Sequence, residues 1–376
     1  MVEIARAEII FNLNNRQMKI LCLIENLSQG GAERQLIGLA TMLANEGNKV
    51  KIVIYNNDFF YRPLLEGTGV VCEYVAKASN KLWRIPTLVK LIKKSKPDIV
   101  ISFLRTPSVI ACIAKLLLRN FRLIVSERNT TQKITFSERI RFFLFRYADK
   151  IVPNSYSQKD FIGIHYPNLK SKTVTITNFV DTNIFCPLEK EGVCQESDTL
   201  RIVSVGRVCQ QKNVKLFIQA IKGAIDRGIN LVVDWYGLAT HPYLDECTQL
   251  TKSLGIEDKF IFHKETNDIR TAYYHADVMV LPSIYEGFPN VVCEAMSCGL
   301  PVLCSAICDN GYIVRDGVNG FLFNPHSVGD VVETIVKFSQ MNAKERVMMG
   351  RRGREFALTD FSQKSFFEKY KEIIFE

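Results

Sequence analysis

Between Asp277 and Val302 the chain reads DVMVLPSIYEGFPNVVCEAMSCGLPV, and its apolar positions change period partway along. Val278, Val280 and Leu281 form a short apolar run closed by Pro282 and Ser283, the pattern of a buried strand that ends in a loop. Val292, Ala295 and Met296 then recur at helical spacing, with Pro289 suited to the first helical position and Gly299 to the stop. Gly299-Leu300-Pro301-Val302 feeds the next apolar run, so the stretch predicts strand, loop, helix, strand, the repeating unit of a parallel sheet. Strands are also predicted at Lys19–Ile24, Val50–Tyr55, Val70–Tyr74, Asp98–Phe103, Arg122–Ser126, Lys150–Val152 and Val174–Ile176, and again from Leu200, at Asn230–Tyr236 and at Lys259–Phe262. A helix to about Asn45 follows Gly30-Gly31, and Pro187–Ser197, polar and acidic without apolar period, reads as a linker. At 376 residues the chain exceeds what one core usually holds, so two domains are expected, 1–186 and 200–360, joined by 187–199.

Polar residues collect where the predicted strands end. Glu286 lies in the loop after one strand and Glu294 in the second turn of the helix that follows, seven residues between them. Amides around Gly287, Phe288 and Asn290 at that helix start suit an anion such as a phosphate, while carboxylates accept hydrogen bonds from hydroxyls. A phosphate beside many hydroxyls describes a nucleotide sugar. The bland alternative is a solvated loop acid and an ordinary helical glutamate. Gly30 and Gly31, between a strand and a helix, form either a phosphate loop or a plain tight turn. Arg207 and Lys212 put two cations at another strand edge, suited to a diphosphate, or else to a surface salt bridge.

EGFPNVVCEA followed by GLPV resembles the signature of retaining nucleotide-sugar glycosyltransferases of family four. Val203-Ser204-Val205-Gly206-Arg207 with Lys212-Asn213 is similar to a second element of that family, and GGAER at the first turn is frequent in it. The resemblance implies an α/β, GT-B fold, with two Rossmann-like doubly wound parallel-sheet domains facing across a cleft, and a final helix at 361–376 that returns to the first domain. It implies transfer of a hexose or N-acetylhexosamine from a UDP-sugar to a lipid-linked or polysaccharide acceptor of a bacterial surface glycan. Glu286, Arg207 and Lys212 are then catalytic. Glu294 takes the ribose, and Gly30, Gly31, Gly206, Gly237, Gly287, Phe288, Pro289, Asn290 and Val291 line the donor site. Glu127, Arg128, Asn129, Asn154 and Asn178 become acceptor candidates. Many relatives carry a histidine near Glu127; this sequence has none there. Phe179 stands for a usual glycine, and Cys308-Asp309-Asn310-Gly311-Tyr312 for a glycine-rich turn followed by Pro-Glu. No D-x-D pair occurs, so no metal cofactor is expected.

The net charge of +9 adds a possible anionic partner, and no nucleic-acid motif accompanies it. Lys81–Lys96 and residues 139–150 interleave basic with apolar side chains, which predicts contact between the first domain and an anionic membrane surface. With no spanning run and no leader pattern before Met18, the expected place is the cytoplasmic face of the plasma membrane. Eleven cysteines lack paired metal spacing and read as reduced thiols, with Cys293, Cys298, Cys304 and Cys308 in core packing. Arg351, Arg352 and Arg354 read as helix surface charges. A UDP-sugar epimerase of the same fold, and an inactive binding protein, are the competing functions.

Overall fold

The computed structural model describes residues 17–128, 130–131, 133–188, 198–266 and 268–375. The chain divides into two compact units, one running to Phe179 and resuming at Lys364, the other Val180–Gln363. The crossing therefore falls at Phe179–Val180 rather than in 187–199, and 180–186 belongs with the second unit. The reason is local: Val180 donates its amide to the Phe361 carbonyl at 2.8 Å and its side chain joins the second unit's core. Residues 1–16, and 189–197 of the expected linker, lie outside the described residues.

The first unit runs β1 (Lys19–Leu23), α1 (Gly31–Asn45), β2 (Lys49–Ile54), β3 (Val71–Tyr74), α2 (Lys81–Ser95), β4 (Ile99–Phe103), α3 (Arg105–Leu118), β5 (Arg122–Glu127), α4 (Phe136–Leu144), β6 (Lys150–Pro153) and α5 (Tyr156–His165). Its sheet is parallel, in the order β3-β2-β1-β4-β5-β6. Helices cover both faces, so β1, β4, β5 and β6 are buried on two sides and read as near-continuous apolar runs rather than alternating ones, while the edge strand β3 stays partly exposed. The predicted strand at Val174–Ile176 is not formed. Only isolated bonds run there, from the Val174 amide to Ile151 and from the Ile176 amide to Pro153, because β6 is short and the chain is leaving the sheet edge.

The second unit repeats the winding with β7 (Leu200–Val205), α6 (Val214–Asp226), β8 (Leu231–Tyr236), α7 (Tyr243–Ser253), β9 (Phe260–His263), α8 (Arg270–His275), β10 (Val278–Leu281), α9 (Asn290–Ser297), β11 (Val302–Ser305), α10 (Asn310–Ile313), β12 (Gly320–Phe323), α11 (Val328–Ser339) and α12 (Ala343–Asp360). Its strand order is β12-β11-β10-β7-β8-β9, also parallel. The last helix, α13 (Gln363–Phe375), buries Phe366, Phe367, Tyr370, Ile373 and Ile374 in the first unit's core, as the expected return helix should. Both sheets reverse strand direction of growth beside their first strand, and open parallel sheets bind ligands outside the strand ends at that point.

Candidate functional site

In the second unit that point lies between β7 and β10, whose neighbouring C-terminal ends bring Lys212 and Glu286 together. Gln211 ties the two loops: its carbonyl accepts the Ile284 amide at 2.9 Å, and its side chain donates to the Tyr285 carbonyl at 3.0 Å. Lys212 Nζ then donates to Glu286 Oε1 at 2.6 Å, and Ser283 Oγ donates to the same oxygen at 2.5 Å. Glu286 is buried and its partner nearly so, which makes this a charge-assisted pair rather than a solvated one. Arg207, on the same loop, is exposed.

Gly206 and Gly237, expected at the donor site, shape the loop that carries Lys212. A Cβ on Gly206 would stand 2.8 Å from Lys212 Cε, so the missing side chain is the space the lysine stem fills. A Cβ on Gly237 would overlap the Gly206 carbonyl oxygen, which also accepts from Trp235 Nε1 at 2.8 Å. Both glycines hold positive φ, 156° and 155°, which other residues rarely adopt. The order of support is Gly237, Gly206, Lys212, Glu286.

Helix α9 carries Glu294, buried at 5% exposure. Pro289 is the residue before the helix rather than its first, because its φ and ψ of −82° and 75° are not helical. The Asn290 amide is spent on the Phe288 carbonyl at 3.0 Å, so the anion-ready amide expected there is already bonded. Phe288 faces the core, edge-on to Phe361 at 5.6 Å, and Val291 is packed against the same cluster. Their side chains anchor the loop that starts at Glu286 and Gly287. Arg354, expected as a helix surface charge, is half-buried and tied to backbone carbonyls. Its Nη1 donates to the carbonyls of Thr182, Phe185 and Ser297 at 3.1, 2.7 and 2.6 Å. Gly350 and Gly353 let α12 approach α9 closely enough for this, since a Cβ on Gly350 would overlap the Gly299 carbonyl. Arg351 and Arg352, by contrast, are exposed as expected. Cys293, Cys298 and Cys304 are buried core thiols, and Cys308 is half-buried with φ 42°, keeping a left-handed turn where relatives were expected to have glycine.

The first unit treats the predicted residues differently. At Gly30 and Gly31 the anion against the helix start is the chain's own: a Cβ on Gly30 would overlap the Glu33 carboxylate, which also accepts from Ser28 Oγ at 3.4 Å. Burial pushes the Glu33 carboxyl above its ordinary range. Glu127 and Arg128 are buried rather than presented as acceptor contacts. Arg141 Nη1 donates to Glu127 Oε2 at 2.6 Å. Arg128 donates to Asn178 Oδ1 at 2.8 Å and to the Tyr370 hydroxyl at 2.6 Å, and lies over the Phe103 ring. Asn154 is buried, its amide donating to the Glu127 carbonyl at 3.0 Å. These partners sit far along the sequence, which is why a polar strand end alone looked available. Asn129 lies outside the described residues.

Two family descriptions match the chain. "Glycosyltransferase Family 4" covers residues 29–184 and "Glycosyl transferases group 1" covers 190–356. An α-1,4-N-acetyl-D-galactosaminyltransferase of Campylobacter jejuni, whose name specifies a diphospho-undecaprenol-linked GalNAc acceptor, is 28% identical over 293 residues, 74% of this chain and 77% of that one. A glycosyltransferase structure from Rickettsia africae superposes with TM-score 0.82 at 19% identity, covering 96% of this chain and 99% of that one. Anabaena HepE, solved with UDP and glucose, superposes with TM-score 0.79 at 20% identity, covering 95% and 99%. Between them the two family matches account for nearly the whole described sequence, and the same paired parallel sheets recur in the solved relatives: the chain belongs to the group 1, family 4 glycosyltransferases of the GT-B fold.

Proposed function

We propose that the enzyme moves a hexose or N-acetylhexosamine from a UDP-sugar, with retention of anomeric configuration, to a polyprenyl-diphosphate-linked or polysaccharide acceptor of a bacterial surface glycan. The observation that carries this is Lys212 Nζ on Glu286 Oε1 at 2.6 Å, at the switch point of the second sheet. Breaking a sugar–phosphate bond builds negative charge on the departing diphosphate, and fixed cations lower that barrier. Lys212 has three N–H donors and Glu286 uses one, so the ammonium can hold the carboxylate and a phosphate oxygen together. Arg207 supplies a second cation. Glu286 takes donor-sugar hydroxyls and Glu294 those of the ribose. The departing phosphate oxygen receives the acceptor's proton, and no metal cofactor is invoked. The Campylobacter relative's named acceptor supports a lipid-linked substrate, and the nucleotide in HepE supports UDP. Purified protein given UDP-sugars and polyprenyl-diphosphate-linked acceptors should form product. Transfer only from GDP- or ADP-sugars, transfer only to soluble sugars, or UDP-sugar interconversion without acceptor would each count against the proposal.

In this reading the first unit rests on the anionic inner face of the plasma membrane. Among the described residues no helix is long and apolar enough to cross a membrane. Helix α4 nonetheless exposes Phe136, Ile140 and Phe143, one helical stripe with Phe136 at 80% exposure, beside exposed Lys133, Arg139 and Arg146. Helix α2 adds exposed Leu82 and Trp83. Two expected lipid contacts are otherwise engaged: Arg84 donates to the Ala78 carbonyl at 2.9 Å, and Arg141 is buried. Replacing Phe136 and Phe143 by serine should weaken sedimentation with anionic vesicles by about tenfold or more, since burying one Phe is worth about 1.5–3 kcal/mol. Unchanged binding would remove this stripe from the membrane contact.

A further inference from the structure

We propose that Ser283 is a positioning residue for glycosyl transfer, fixing Glu286 in the one orientation that meets both the donor sugar and Lys212; this rests on the reading of Glu286 as a donor contact. A buried column of hydrogen bonds reaches Glu286 from α10. Asn310 Nδ2 donates to the Ser305 carbonyl at 2.8 Å. Ser305 Oγ donates to the Ser283 carbonyl at 2.7 Å, and Ser283 Oγ donates to Glu286 Oε1 at 2.5 Å. Asn310, Ser305 and Ser283 are fully buried. Wholly buried, the Ser283 hydroxyl is directed by its bond to Glu286 Oε1, and a hydroxyl on a carboxylate is among the stronger hydrogen bonds.

Lysine cannot do this alone. Its ammonium sits on a flexible four-carbon stem and is itself needed at the diphosphate. Ser283 stands two residues past the end of β10, and Ser305, the last residue of β11, locks its carbonyl. The column thus transfers the rigidity of two neighbouring strands to one carboxylate oxygen. It also starts in the segment where the sequence departs from the family's glycine-rich turn, so changes there reach Glu286 through two serines.

The test is a double-mutant cycle of Ser283→Ala and Glu286→Gln, with Ser283→Thr alongside. Ser283→Ala should lower kcat/KM for the donor by about ten- to a hundredfold, the range for a hydrogen bond to a charged group. The donor KM should rise while the acceptor KM stays within about twofold; a mere loss of folded enzyme would lower kcat at unchanged KM. On Glu286→Gln the same serine change should cost less than about twofold, because its route to the reaction is already gone. Ser283→Thr keeps the hydroxyl and should recover most of the loss. A donor KM that does not move, or losses that multiply in the double variant, would overturn the role of Ser283. Absence of any transfer by the unmodified enzyme would instead overturn the function, and the cycle is then read in the rise of Tm that UDP-sugars produce.

Discussion

Lys212→Met lowers kcat for glycosyl transfer by about 10²–10³-fold, the scale expected when one preorganised group aimed at developing negative charge is lost. Methionine keeps the stem volume beside Gly206, so the loop after β7 has no new cavity to collapse into. The ammonium's absence leaves Glu286 with Ser283 Oγ but without its cation, which also costs stability. Combining Lys212→Met with Glu286→Gln removes the stranded charge, so stability should return while activity does not. Rates measured beside thermal unfolding separate the two effects. A single Lys212→Met variant within about threefold of wild type would remove Lys212 from the reaction, since a missing charge stabiliser cannot be that cheap.

Arg141→Ala is the largest expected loss of stability, about 3–5 kcal/mol, the range for breaking a buried ion pair from one side. The guanidinium lies between two carboxylates, on Glu127 Oε2 at 2.6 Å and paired with Glu138, and it also donates to Thr131 Oγ1 at 3.0 Å. All three charged groups are buried, and among the described residues the cation left paired with Glu138 after the change is the exposed Arg105. Lysine would not rescue, because a point charge cannot serve two carboxylates in the plane a guanidinium spans. The deficit should depend on pH with a definite sign. Burial already holds the Glu127 carboxyl above its ordinary range, with Glu138 pushing the same way against Arg141. A folded-state pKa above the unfolded one favours folding at low pH and loses that benefit as pH rises through the folded value. Without Arg141 the penalty for ionised Glu127 grows. Urea unfolding should therefore show the deficit largest near about pH 8 and smaller near about pH 5.5. A deficit that widens on acidification would sink this account.

Most of the parallel-sheet pattern was legible because strand and helix periods are local. Val278, Val280 and Leu281, then Val292, Ala295 and Met296, state the βα unit within a short stretch, and β10 and α9 fall there. Limits of one or two residues were not legible, as Pro289 shows: its ring suits a first helical position, yet packing of Phe288 on Phe361 turns the backbone before the helix can begin there. Arg354 could not be told from Arg351 and Arg352 by spacing. What separates it is the close approach of α12 at Gly350 and Gly353, a property of two helices and not of one. Glu127 and Arg128 looked available because a polar strand end is where sites occur. Their partners Arg141 and Tyr370 come from another helix and from the far end of the chain.

By itself the sequence determined the alternation of strands and helices, the presence of two sheets, and the residue types that stand at the strand ends, because each depends on backbone period or on motifs only a few residues long. Tertiary structure alone decided that Lys212 meets Glu286 across a separation of 74 residues, that Gly206 and Gly237 make room for the lysine, and that Ser283 bonds the carboxylate. The reason is strand order. β7 and β10 are neighbours only because the sheet grows outward in both directions from β7, and nothing near either strand in the chain records which neighbour it will take.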